Sequence, residues 1–245
     1  MRKPVPKKTT AARKPRAAPE KAPRRRLSPI ERRLQIIEAA RALFAEGGPD
    51  LLSMRNIARR VGITQAAIYQ HFEDKEALVF AIAEDFFSEL IEAGMKAAAE
   101  ETDPLAGLAR AMRGYVEVGL SRPDEYRLVF MTSIPSFRRK NMHRVPAGAP
   151  SPIQRSKGQI AFDYLLDRVR ELIASGLIRK GEPEVVAEAI WAAGHGIVSL
   201  LITHVEFPWS REALVDTQIR IVLEGLLPDD SPARGARHAC GAPRA

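Results

Sequence analysis

The segment from Ser53 to Phe72 constrains this chain most, because two short amphipathic helices and the glycine between them are written into it. Ser53 is a capping residue type, and Met54, Ile57, Ala58 and Val61 recur at the spacing of one helical face. Gly62 then supplies the left-handed conformation that stops the helix. Ile63 plugs the turn, Thr64 caps a second short helix over 65–70, and Ile68 returns to the same core. Small Ala58 allows the pair to pack closely. Two short helices joined by a glycine-containing turn form a helix-turn-helix, whose second helix lies in the DNA major groove with its first residues against base edges.

The outward face fits that use. Thr64, Gln65, Tyr69, Gln70 and His71 offer hydroxyl, amide, phenol and imidazole groups, with no carboxylate among them to repel phosphate. Arg55, Arg59 and Arg60 lie on the preceding helix. Lys75 opens the next one, where ammonium and helix N-terminus both suit a phosphate. Each of these residues also has a plainer reading. Gln65 and Gln70 can be solvated surface, His71 can cap or pack, and Arg59 and Arg60 can simply keep a helix face soluble.

The fold expected around this motif is all-α. No segment shows sustained period-two alternation, while several carry apolar residues three and four apart. Ser28, Pro29 and Glu31 make a capping box for a first helix with a stripe of Ile30, Leu34, Ile37, Ala40 and Phe44, ended by Gly47 and Gly48. A long helix follows from Asp74 to about Glu100, with Leu78, Ile82, Phe86 and Leu90 on one face. Further helices are expected at about 104–121, 123–133, 156–176, 183–205 and 209–227, and residues 134–155 form the one long loop. The expected division is a basic tail at 1–26, a helix-turn-helix domain at 27–75, a larger helical domain at 76–227 and a second tail at 228–245.

Charge separates in the same way. Of the 38 Lys and Arg, 11 fall within residues 1–26 against the single acid Glu20, leaving 27 bases and 29 acids for the remainder. A basic, proline-containing leader of this kind is expected to be disordered and to lend salt-dependent, sequence-independent attraction to DNA, or to act only as a solvated leader. It has no apolar stretch of a secretory signal. The lone Cys240 excludes an intrachain disulfide and a multi-cysteine zinc site, consistent with a reducing cytoplasm. The most apolar run, 189–202, is shorter than the roughly 20 residues of a membrane span and reads as a buried helix.

The run S-M-R-N-I-A-R-R-V-G-I-T-Q-A-A-I-Y-Q-H-F-E-D-K-E-A-L, residues 53–78, resembles the DNA-binding region of TetR-family transcriptional regulators. It supplies Ile57, Ala58, Gly62, Ile63, Thr64, Tyr69, His71, Phe72, Lys75 and Leu78 in that family's register. The resemblance implies an all-helical homodimer with an N-terminal DNA-binding domain and a larger C-terminal domain for dimerisation and ligand binding. It further implies phosphate contacts at Tyr69 and Lys75 and base contacts at Gln65, Ala67 and Gln70, with Ser53 and Arg55 also on the DNA-facing side. W-A-A-G-H-G at 191–196 is similar to the W-x-x-x-H-G signature of one subgroup of TetR C-terminal domains.

In the C-terminal half, the helix at about 183–205 is apolar nearly all round and must be covered on more than one side. Together with the helix at about 209–227 it is the expected homodimer interface. Tyr115, Tyr126, Phe130, Met131, Phe162, Tyr164, Trp191 and His195 are candidate linings of a ligand site, and a mostly apolar effector would suit them. The alternative for each is ordinary core, and for His195 a satisfied core histidine packed beside Trp191. No metal or cofactor is expected.

The chain is therefore expected to be a ligand-responsive repressor that binds a palindromic operator. An architectural protein that coats DNA without an effector is the alternative the basic tail favours. An enzyme is not expected, since H-E-x-x-H, G-x-S-x-G, phosphate-loop and dinucleotide patterns are all missing.

Overall fold

The computed structural model describes residues 27–132 and 156–229. The expected tails and the loop expected at 134–155 lie outside them, almost entirely. Among the described residues the architecture is all-α, as the spacing predicts. The elements are α1 (Pro29–Leu51), α2 (Met54–Val61), α3 (Gln65–Tyr69), α4 (Lys75–Ala99), α5 (Pro104–Ser121), α6 (Pro123–Tyr126) with a π turn (Arg127–Met131), α7 (Lys157–Ala174), α8 (Pro183–Thr203) and α9 (Arg211–Leu226).

Helix starts follow their capping chemistry. The Ser28 hydroxyl accepts from the Glu31 amide at 3.2 Å while the Ser28 amide donates to Glu31 Oε2 at 2.7 Å, a complete capping box. Asp74 opens α4 by accepting from the Ala77 amide at 2.6 Å. Regular helix geometry in α1 breaks at Gly47 and at Gly48, whose φ is +64°, and a last helical turn then runs to Leu51.

The buried stripe of α1 needs correction. Ile37, Ala40 and Phe44 are buried, joined by Ile36, Ala39 and Leu43, but Ile30 and Leu34 are 74% and 57% exposed. Periodicity gives the phase of a stripe and not its length. In the first turns of α1 it is Arg33, off that stripe, that meets another element, at His71 and Phe72. In α4 the expected face is complete, with Leu78, Ile82 and Phe86 fully buried and Leu90 nearly so.

Two further expectations change. The segment 123–133 is not one α-helix, because after four residues the backbone widens into the π turn. Apolar spacing hardly separates these states, which differ by one residue per hydrogen-bonded ring. Helix α8 has 21 residues and is long and apolar enough by composition to cross a membrane, so shortness does not argue against a span. One face is core: Ala187, Ile190, Gly194, Ile197, Val198, Leu201 and Ile202 are buried, and α5, α7 and α9 lie against it.

Candidate nucleic-acid interface and apolar cavity

Helices α2 and α3 meet as the sequence dictates. Ser53 Oγ accepts from the Asn56 amide and Thr64 Oγ1 from the Ala67 amide, both at 3.2 Å. Between them Gly62 takes φ +74°, and the amides of Gly62 and Ile63 both donate to Ala58 O, at 2.9 and 3.1 Å. Beneath lie Ile57 and Ile68, fully buried, with Ala58 and Phe72 at 4% and 2% exposure.

That core turns a defined set of side chains outward. Arg55, Thr64, Gln65, Tyr69 and Gln70 are exposed, while Ser53, Ala67, His71 and Lys75 are half-buried at its edge. Gln65 Nε2 donates to Tyr69 Oη at 3.5 Å, a long bond that a base or phosphate can displace. Ser53 and Thr64 use their hydroxyl oxygens as caps, so each retains its own O–H to donate. Ala67 offers a methyl group of the kind that reads thymine.

The arginines separate. Arg60 is held by Glu46 of α1 at 2.6 Å and Arg59 donates to the Asn56 side chain, whereas Arg55 has no ion-pair partner among the described residues. Sequence reasoning missed Arg33. Its guanidinium lies 4.0 Å from the centroid of the Phe72 ring and donates to His71 O at 2.7 Å, so α1 pins the end of α3. Nothing in the spacing of α1 announces this, because Arg33 lies outside its apolar stripe.

In the C-terminal half, α4, α5, the π turn, α7 and α8 enclose a cavity of about 410 Å³. Tyr115, Phe130, Phe162, Tyr164 and Trp191 all line it. The other three candidates do not. Tyr126 is fully buried behind Tyr115, Met131 points outward at 41% exposure, and His195 lies behind the wall. Sequence reasoning missed Phe87, Leu90 and Ile91 of α4 and Met112 of α5, which a helical pattern cannot distinguish from core. Small residues give the space, and Gly94, Gly107, Gly158 and Gly194 were the available signal.

Behind the wall runs a chain of hydrogen bonds. Trp191 Nε1 donates to Tyr115 Oη at 3.2 Å, the Tyr115 and Tyr126 hydroxyls are 2.8 Å apart, and Tyr126 Oη lies 2.6 Å from His195 Nδ1. His195 Nε2 lies 3.3 Å from Ser199 Oγ. An indole can only donate, so each hydroxyl can pass its own proton onward until Nδ1 accepts and Nε2–H donates. This order requires a neutral imidazole. Burial supplies the same bias, pushing the His195 pKa below its ordinary value and the Tyr115 phenol up to about 12. Both ring nitrogens of half-buried His195 thus have partners. Among the described residues no group of three or more His, Cys, Asp or Glu is arranged to hold a metal ion.

A pH prediction follows from that neutral ring. In the unfolded chain it protonates near a pKa of about 6.5, above its folded value. Its stability contribution is therefore complete above that pH and is lost as pH falls towards the lower folded pKa. The melting temperature should drop more steeply between pH 7 and pH 5 in the wild-type chain than in His195→Gln; parallel slopes would show that the ring is not held neutral.

Comparisons with known proteins agree with both halves. A family model described as bacterial regulatory proteins, tetR family, matches residues 36–82, and one described as tetracyclin repressor-like, C-terminal domain, matches 105–222. The chain is 30% identical over 153 residues to the HTH-type transcriptional repressor Rv1474c of Mycobacterium tuberculosis, covering 56% of this chain and 82% of that one. A TetR/AcrR-family transcriptional regulator of Thermobifida fusca has a similar structure, with a TM-score of 0.60 and 25% identity, over 80% of this chain and 98% of that one. A protein of unknown function from Rhodococcus sp. RHA1 superposes with a TM-score of 0.64 at 26% identity, over 84% of this chain and 99% of its own.

Proposed function

This chain belongs to the TetR family of DNA-binding transcriptional regulators, and from that premise we propose that it is a ligand-responsive repressor acting as a homodimer on a palindromic operator. The observation that carries the ligand response is the apolar cavity of about 410 Å³, walled by Tyr115, Phe130, Phe162 and Trp191. A cavity of this size suits a small, mostly apolar effector. DNA is read by α3, with Gln65, Ala67 and Gln70 at bases and Tyr69 and Lys75 at phosphates.

The proposed dimer forms through α8 and α9. Val185, Leu200 and Ile221 are large apolar side chains left 60%, 44% and 55% exposed on these two helices, which a second copy would cover. Two-fold symmetry then sets two α3 helices against two half-sites of one palindrome. The effector favours a state in which that spacing is lost. Near-complete switching needs roughly 10⁴-fold tighter effector binding to the released state.

The test is selection of bound fragments from random-sequence DNA, followed by a screen of apolar compounds for release. Ala111→Phe, which places a ring in the cavity, should abolish further release by effector and, as a built-in occupant, weaken operator binding in its absence. A variant that still releases normally would place the effector elsewhere. Binding of random DNA as tight as any selected site would favour the architectural reading instead.

A further inference from the structure

Between the DNA-reading half and the cavity lies an ionic cluster that neither site uses. Arg41 of α1 is only 21% exposed, and its guanidinium leaves the N-terminal half to meet Asp85 of α4 at 2.5 Å and Glu125 of α6 at 3.3 Å. The same two carboxylates hold Arg122. It donates to Asp85 Oδ2 at 3.0 Å and through Nε to Glu125 Oε1 at 2.7 Å, and it also reaches Glu125 Oε2 and Glu89. Arg122 and Glu125 are 19% and 15% exposed. Asp85 and Glu89 are 58% and 46% exposed and their pairs are partly screened, while Arg41, Arg122 and Glu125 form the half-buried centre that loses more when one member goes. Burial alone would raise the Asp85 carboxyl, yet the hydrogen bonds from Arg122 and Arg41 outweigh it and hold it below its ordinary value.

The cluster is tied to the cavity by one residue of chain. Glu125 is followed by Tyr126, whose phenol joins Tyr115 on the cavity wall. Phe130, one π turn further on, forms that wall itself and packs on the Tyr126 ring at a centroid distance of 4.7 Å. The segment 122–130 thus touches α1 at one end and the cavity at the other, and an α-helical turn in place of its π turn would rotate Phe130 relative to Tyr126.

We propose that Arg41 is a positioning residue, which fixes the angle of the DNA-reading half through Asp85 and Glu125, and that the Tyr126–Phe130 segment sets whether Glu125 is presented to it. This rests on the ligand-responsive reading above, but its test needs no ligand. A methyl group added at Gly194 meets the Tyr115 ring at 3.2 and 3.4 Å, and so presses on the wall as an occupant would.

The experiment measures affinity of the full chain for its selected site and for scrambled DNA by fluorescence anisotropy, with melting temperature read alongside. Gly194→Ala should weaken the selected site about fivefold, the lower range of allosteric coupling, and leave scrambled DNA unchanged. In an Arg41→Met background the same substitution should change nothing further, and Arg41→Lys, which keeps a cation against both carboxylates, should restore its effect. If Arg41→Met fails to fold, the same comparison is made in Glu125→Gln, which keeps the volume of the side chain. Effects that multiply as if independent would overturn the proposal, as would a loss on scrambled DNA equal to that on the selected site. A wild-type chain with no preferred site would instead overturn the proposed function itself.

Discussion

A chain carrying both Gln65→Ala and Gln70→Ala should lose about 100-fold or more of its affinity for the selected operator, since each well-made side-chain pair to a base contributes about 1–3 kcal/mol. The structure makes this a clean test. Both side chains are exposed on the outward face of the α2–α3 pair, and neither contributes to the core built on Ile57, Ile68 and Phe72. Melting temperature should therefore stay the same. Scrambled DNA should also be bound as before, because its affinity comes from phosphate neutralisation, which the two substitutions leave intact. The discriminating quantity is the ratio of the two affinities at one salt concentration. An operator loss of less than about threefold, well below one lost base contact, would mean that other residues read the sequence.

The second large effect concerns stability. Phe86→Ala should cost about 3–5 kcal/mol, as truncation of a fully buried aromatic does. Phe86 is fully buried on α4, in edge-to-face contact with the rings of Tyr126 and Phe130 at 6.1 Å, and the Arg122 guanidinium lies 5.7 Å from its centroid. Its loss would leave a void where α4, α6 and the π turn meet. For a chain of this size the melting temperature should fall by roughly 10 °C. A fall of less than 3 °C would show that the cavity wall and the α6 segment are not packed as described.

The residues that made the reading head legible in the sequence are those whose chemistry is local. Ser53, Gly62 and Thr64 announce two caps and a left-handed turn within twelve residues, and the structure uses each for that purpose. Asp74 and the Ser28–Glu31 box were legible for the same reason. Whatever depends on a distant element was not. The exposure of Ile30 and Leu34 depends on which turns of α1 other elements cover, which no spacing inside α1 reveals. Phe87 and Met112 carry the pattern of core and line a cavity, because the difference lies in the glycines of other helices opposite them. The Arg33 contact to Phe72 and the Arg41 contact to Glu125 join residues 39 and 84 positions apart, and arginines off an apolar stripe look alike until the chain is folded.

His195 shows the intermediate case. Its helical register with Trp191 was visible, and so was the choice between core and ligand. What spacing could not show is Tyr126, 69 residues away, whose hydroxyl lies against Nδ1.

Sequence-specific DNA recognition by the two-helix unit is the central claim, and selection from random-sequence DNA with the full-length chain tests it most directly. The account predicts enrichment of two half-sites related by a two-fold axis, bound at least about 10³-fold tighter than scrambled DNA at physiological salt. Recovery of no common sequence, with equal affinity for scrambled DNA, would contradict it.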